Sequence, residues 1–252
     1  MGFESQQVLY GPENHIMKRL HAPRSSRPSR AFSGFIGLFV GLSGSMAVAA
    51  APEKEKTVWT LNGTEKVGNA VPEVMGAPKP LPGAVQAISF DGARDGLLVP
   101  ANPLAGCDKF TVEILFYPAS GGGEEQRFFH AEDTAASRAL MELRVLPGGQ
   151  WCLDSYLRVG KTGLALLDRA KGHPLDRWHW VAMIYDGKTL TGFVNGAKEM
   201  EGDIAFPSMK DGRISLGVRQ NKVSWFKGAI REVRFHPTAL TADQLQTALP
   251  KP

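Results

Sequence analysis

The sequence predicts an all-β protein built as two antiparallel sheets packed face to face, and three observations carry this. First, residues 177–196, RWHWVAMIYDGKTLTGFVNG, hold two runs rich in β-branched and aromatic residues, closed by Asp186-Gly187 and Asn195-Gly196. Gly and Asn tolerate the positive φ of a tight hairpin, so both dipeptides favour antiparallel pairing. Second, residues 110–117 alternate, with Phe110, Val112, Ile114 and Phe116 on one face, the period of a half-buried strand. Third, 28 Gly and 17 Pro among 252 residues supply the turns that many short strands require.

In chain order, a first strand is expected at 59–63, followed by a Pro- and Gly-dense loop over 67–82. Strands at 84–90 and 97–99 flank a turn at 91–96, and residues 121–125 form a flexible turn after the 110–117 strand. Residues 139–145 and 150–159 pair about Pro147-Gly148-Gly149, while 164–167 is too short to assign. Residues 178–185 carry bulk on both faces, Trp178, Trp180, Ala182 and Ile184 against His179, Val181, Met183 and Tyr185. Such a strand is central and covered on both sides, which places Trp178 and Trp180 in the core. Strands at 213–218 and 229–235 close the fold. In the last, Ile230 and Val233 break the period of two, so a bulge is expected near Arg231-Glu232. Thr241 with Gln244 makes a capping-box pattern for a short terminal helix.

The pI of 9.1 comes from the N-terminus. Residues 1–50 hold Lys18, Arg19, Arg24, Arg27 and Arg30 against Glu4 and Glu13, three of the four net positive charges. The remainder carries 24 basic and 23 acidic residues, which gives no electrostatic case for nucleic acid or an acidic membrane surface. Residues 31–52 run without a charge after three arginines, around an apolar FIGLFVGL core and ending in AVAAAP. This is the pattern of a cleaved, helical signal segment, and an uncleaved anchor is the alternative. Met17, directly before Lys18-Arg19, is a second candidate start. The expected organisation is an extension and signal peptide at 1–50, a linker at 51–56 and one domain at 57–248. Secretion, or retention in the periplasm or cell envelope, follows. Cys107 and Cys152 are the two cysteines, and two readings stand: one disulfide, or two buried thiols.

Four segments then resemble one family in register. Residues 177–196 are similar to the W-H-H-V-A…Y-D-G…L…Y-V-N-G block of the laminin-G-like jellyroll family, within the concanavalin A-like lectin and glucanase superfamily. FDGARDGLLVP (90–100), FTVEILFYP (110–118) and FKGAIREVRFHPTALTADQL (226–245) resemble its further blocks, and Trp59 stands at its opening strand. Gly96 replaces the usual aromatic after an acidic position, and Arg231 replaces the usual Asp before Glu232. The resemblance implies a concanavalin A-like jellyroll sandwich that needs no cofactor. It also offers a calcium site at Asp91 and Asp95, which match the family's two acidic positions, but with Arg231 in place of a nearby acid, turn support by Asp91 is the preferred reading.

The superfamily includes glucanases, whose retaining chemistry needs two carboxylates about 5–5.5 Å apart. No strand carries acids at that spacing: Glu113 and Glu142 stand alone, Glu132-Asp133 point to opposite faces, and Glu199, Glu201 and Asp203 read as a solvated edge. A non-catalytic module is therefore expected. Its partner is extracellular or envelope carbohydrate, or alternatively an extracellular protein without sugar specificity. Sugars are held by stacking on aromatic rings flanked by polar groups, and the candidates are Trp225, Trp151 and Tyr156 with Gln220 and Asn221. His179 reads as a hydrogen-bonded structural residue.

Overall fold

A computed structural model describes residues 54–83 and 85–250. The predicted signal segment and residues 51–53 of the predicted linker lie outside the described residues. Strands are numbered in chain order and form two eight-stranded sheets whose strand pairs are all antiparallel. The first sheet runs β14 (Ala197–Asp203), β13 (Thr189–Val194), β12 (His179–Tyr185), β6 (Phe110–Pro118), β16 (Lys227–His236), β4 (Ile88–Asp91), β3 (Lys79–Pro80), with β1 (Thr57–Thr60) also on β16. The second runs β10 (Thr162–Leu167), β9 (Gln150–Val159), β8 (Arg138–Leu146), β7 (Glu125–Asp133), β15 (Gly212–Leu216), β5 (Gly96–Val99), β2 (Glu73–Met75), with β11 (His173–Pro174) on β9.

Alternation decides which side chains meet between the sheets. Phe110, Val112, Ile114 and Phe116 of β6 face inward with Val181, Met183 and Tyr185 of β12. Opposite them stand Met141 and Leu143 of β8 and Trp151, Leu153 and Leu157 of β9. Phe116 stacks on Phe128 at 4.4 Å between ring centroids, and Trp151 meets Phe116 edge-on at 5.1 Å. Trp59 packs edge-on against Phe235 of the last strand at 4.7 Å.

The expected turns and bulge are present. Asn195 and Gly196 adopt φ of 50° and 81° at the β13–β14 hairpin. At the β12–β13 turn Gly187 has φ 98°, while Asp186 Oδ1 accepts from the Lys188 and Thr189 N–H groups. The β6–β16 register shifts between Ile230 and Glu232. Residues 164–167 belong to the edge strand β10. The terminal helix is a single 3-10 turn, Ala242–Gln244, entered with Gln244 Oε1 accepting the Thr241 N–H.

The sequence reading missed β7, and its bulge explains why. The β7–β8 register shifts between Arg127 and Phe129, so the adjacent Phe128 and Phe129 both reach the core and no simple alternation survives. Gly96, unusual for its position, is also explained: an added Cβ would stand 2.6 Å from Val218 Cγ1.

The outer face of the first sheet is covered. Trp180, Ala182 and Ile184 of β12 and Phe193 of β13 are buried, and Leu245 packs with the last three together with Ala239 and Leu240. This segment, residues 237–248, is pinned by polar bonds. Thr111 donates to Thr238 O and accepts from the Leu240 N–H, Glu113 Oε1 accepts from the Gln246 N–H, and Trp180 Nε1 donates to Ala248 O.

Candidate functional site

The predicted ligand residues do not form one site. Trp151 is fully buried in the core and cannot meet a ligand by stacking, a correction that follows from its inward place on β9. Gln220 is spent on the fold: its N–H donates to His130 Nδ1 and its side chain donates to His130 O and Arg213 O. Asn221 is exposed and Trp225 half-buried in the same loop, whereas Tyr156 lies on the outer face of the second sheet. Cys107 and Cys152 are free thiols, which corrects the disulfide reading. Cys107 lies in the loop before β6, its Sγ 3.9 Å from Lys54 Nζ, while Cys152 sits on β9 opposite Arg144. Burial pushes the Cys152 thiol up to about 11.

Asp91 and Asp95 serve the turn between β4 and β5. Asp91 Oδ1 accepts from the Ala93, Arg94 and Asp95 N–H groups. Asp95 accepts from the Ala77 and Asp91 N–H groups. Partial burial works against the Asp91 carboxylate, but these N–H groups outweigh it and hold its pKa below the ordinary value. Among the described residues no three His, Cys, Asp or Glu side chains gather as a metal ion would need.

The carboxylates expected to stand apart are placed in three different settings. Glu113 fastens the C-terminal segment and lies 2.8 Å from His236 Nε2. Glu199 is not on a solvated edge: its side chain is buried, 2.6 Å from His173 Nε2. Glu142 is not alone either, because it faces Asp154 directly across β8 and β9. Arg127 Nε donates to Glu142 at 2.7 Å, and Arg144 bridges Glu142 at 3.2 Å and Asp154 at 2.5 Å. Burial first, and the Asp154 charge second, push Glu142 up to about 7. Burial raises Asp154 as well. Three carboxylates (Glu125, Glu142, Asp154) share two guanidinium groups (Arg127, Arg144), so one proton completes the charge balance. Glu142 and Asp154 are themselves buried.

A surface cleft of about 450 Å³ opens at the end of the first sheet, lined by Tyr117, His173, Asp176, Arg177, Trp178 and Asn195 among others. The register creates it. His179 opposes Phe116 in the β6–β12 pair, which sets Tyr117 and Trp178 side by side with ring centroids 5.6 Å apart. Trp178 was expected in the core but is only half-buried, because β12 begins one residue later and Trp178 sits at its mouth. Asp176 holds the entry turn at φ 59°, its Oδ1 accepting from the Ser120 N–H. Arg177 is exposed and makes no hydrogen bond or ion pair among the described residues. At the cleft wall His179 Nε2 donates to Pro174 O and its Nδ1 accepts from Asn195 Nδ2. Burial lowers its pKa, so it is the neutral structural residue the sequence suggested. Tyr117, Asp176 and Arg177 were missed; pairing the 110–117 strand with 178–185 in register was the signal that would have brought Tyr117 to Trp178.

Two antiparallel sheets packed over one core define a jellyroll sandwich. The chain belongs to the laminin-G family of the concanavalin A-like lectin/glucanases superfamily, whose family model matches residues 91–246. No curated protein matches it by sequence. Among solved structures it is similar to domain 4 of AbnA, a GH43 extracellular arabinanase from Geobacillus stearothermophilus, in complex with arabinotriose. That match has 22% identity and a TM-score of 0.51, covering 75% of this chain and 85% of that one. The binding domain of botulinum neurotoxin DC, in complex with SialylT, matches at 11% identity and a TM-score of 0.56, with 75% of this chain and 49% of that one covered. A native heptameric SAP-like pentraxin from Limulus polyphemus matches at 17% and 0.50, over 63% and 78%. At these identities the likeness is one of fold. No helix among the described residues is long and apolar enough to cross a membrane.

Proposed function

We propose that this protein is a non-catalytic carbohydrate-binding module, exported to the cell envelope or beyond, that takes a sugar in the cleft at Trp178. The carrying observation is the Trp178–Tyr117 pair, two aromatic rings left partly open beside Asp176 and Arg177, which has no partner among the described residues. Indole and phenol rings offer flat apolar faces for a pyranose, and the flanking charged groups meet its hydroxyls. The reading requires no metal. Carbohydrate complexes of the arabinanase and neurotoxin domains support it by likeness of fold.

A glycan array on the mature chain, run with calcium and with chelator, identifies the ligand. Binding of that glycan is then titrated to Trp178→Ala and Tyr117→Ala. Each is expected to weaken binding tenfold or more, equally with and without calcium, while the thermal transition stays cooperative. Wild-type affinity in both variants would overturn the assignment of the cleft.

A further inference from the structure

Taken as the sugar site proposed for this chain, the cleft at Trp178 has a lining that narrows which sugar fits. Two apolar parts of different character make up most of it. One is aromatic, the Tyr117 and Trp178 rings. The other is aliphatic: Val85 from the loop between β3 and β4, Pro174 of β11, and Leu249 with Pro250 beyond the segment that covers the first sheet. The Trp180 indole donates to Ala248 O, which fastens the chain one residue before Leu249. Leu249 is 46% exposed, the most open leucine among the described residues. Apolar surface of this kind gains by leaving water, so a ligand with an apolar group of its own is favoured here.

The polar part of the lining is small and of mixed sign. Asp176 and Arg177 are adjacent and both exposed. Asp176 uses Oδ1 on the Ser120 N–H, and its Oδ2 makes no hydrogen bond among the described residues. The cleft thus offers a carboxylate acceptor beside a guanidinium donor. An amide group needs both, an acceptor for its N–H and a donor for its carbonyl. A sugar with only hydroxyl groups would leave the aliphatic part without an apolar counterpart. A carboxylated sugar would meet Asp176 as well as Arg177, and like charges brought together are costly.

We propose that the cleft selects an N-acetylated amino sugar in a neutral glycan. The sugar ring stacks on Trp178, and its acetamido methyl lies against Val85 and Leu249. Its amide N–H donates to Asp176 while its carbonyl accepts from Arg177. Each part of the lining then has a counterpart on a single sugar unit. The aliphatic contact separates this ligand from a plain glucose polymer, which carries a hydroxyl where the acetamido group stands.

The test titrates the full chain with chitotetraose, cellotetraose and the glucosamine tetramer, which share ring and linkage and differ in one substituent. Chitotetraose should bind about tenfold or more tighter than cellotetraose, the discrimination that a small apolar group in a matched pocket provides. The Val85→Ser/Leu249→Ser double variant should lose most of that preference while keeping the affinity for cellotetraose. Trp178→Ala should weaken both ligands. Equal affinity for the two, lost together in Trp178→Ala, would overturn the selectivity and leave the cleft standing as a sugar site. A glucosamine tetramer bound as tightly as chitotetraose would overturn it too, because charge and not the methyl would then carry the preference. Chitotetraose binding indifferent to Trp178→Ala would overturn both the selectivity and the cleft. Binding of neither chitotetraose nor cellotetraose overturns the proposal, and the glycan array then decides the cleft separately.

Discussion

The two sheets share one core, yet their outer faces are finished in opposite ways. On the first sheet, Trp180, Ala182, Ile184 and Phe193 are apolar and lie under residues 237–248. On the second, the outward positions of β7, β8 and β9 include Arg127, Glu132, Arg138, Glu142, Arg144, Asp154, Tyr156 and Arg158, beside the buried His130, Leu140 and Cys152. An apolar face must be covered to leave water, so the first sheet spends its chain end on stability. A face of mostly paired charges needs less cover, and here the 219–225 loop supplies it through Gln220 on His130 and Ser224 on Arg127. The difference teaches where to look for function: at the open end of the first face, where the cover stops.

The largest expected effect tests the covered face. Trp180→Ala removes a buried indole, its bond to Ala248 O and the Arg234 guanidinium stacked 5.1 Å from the ring. It should cost about 3–5 kcal/mol, read by urea denaturation. A loss below about 1 kcal/mol would mean the segment is not held there.

The second test addresses the charged face. Glu142 is raised to about 7 in the folded chain from 4.5, so folding favours its protonated form. Its contribution is fully present below pH 4.5 and is lost as pH rises through about 7. Protonation of Glu142 also removes its charge from beside the buried Asp154, which opposes it across β8 and β9. Glu142→Gln should therefore be near neutral at pH 4 and stabilising at pH 8, by about 2–3 kcal/mol. Equal stability differences at both pH values would show that the proton is not held at Glu142.

The smallest effect concerns the loop between the faces. Asn221→Ala should change stability by less than about 0.5 kcal/mol, because the side chain is exposed. Gln220→Ala should cost about 1–2 kcal/mol, because it leaves His130 O and Arg213 O without their donor. Thermal melts of the two variants compare them directly.

The fold was largely legible because alternation reports it. Phe110, Val112, Ile114 and Phe116 point inward as their spacing implied, and the irregular spacing of Ile230 and Val233 announced the bulge. Where two apolar residues are adjacent, as at Phe128-Phe129, the same signal failed, since a bulge turns both to one side. The candidate site was less legible for a different reason. Trp178 and Trp180 have the same parity, but one sits at the strand mouth and the other beneath the C-terminal segment. Glu142 with Asp154, and Arg138 with Arg158, become neighbours only through cross-strand register, which no local pattern contains.

The placement of β1 against β16, with Ala248 O receiving the Trp180 indole, bears on how the chain matures. The first strand waits for the last, and the first sheet cannot be sealed until the final residues are present. The contacts between residues 57–60 and 232–235 that close this part of the first sheet are among the most distant in sequence, and contacts of that kind are slow to form.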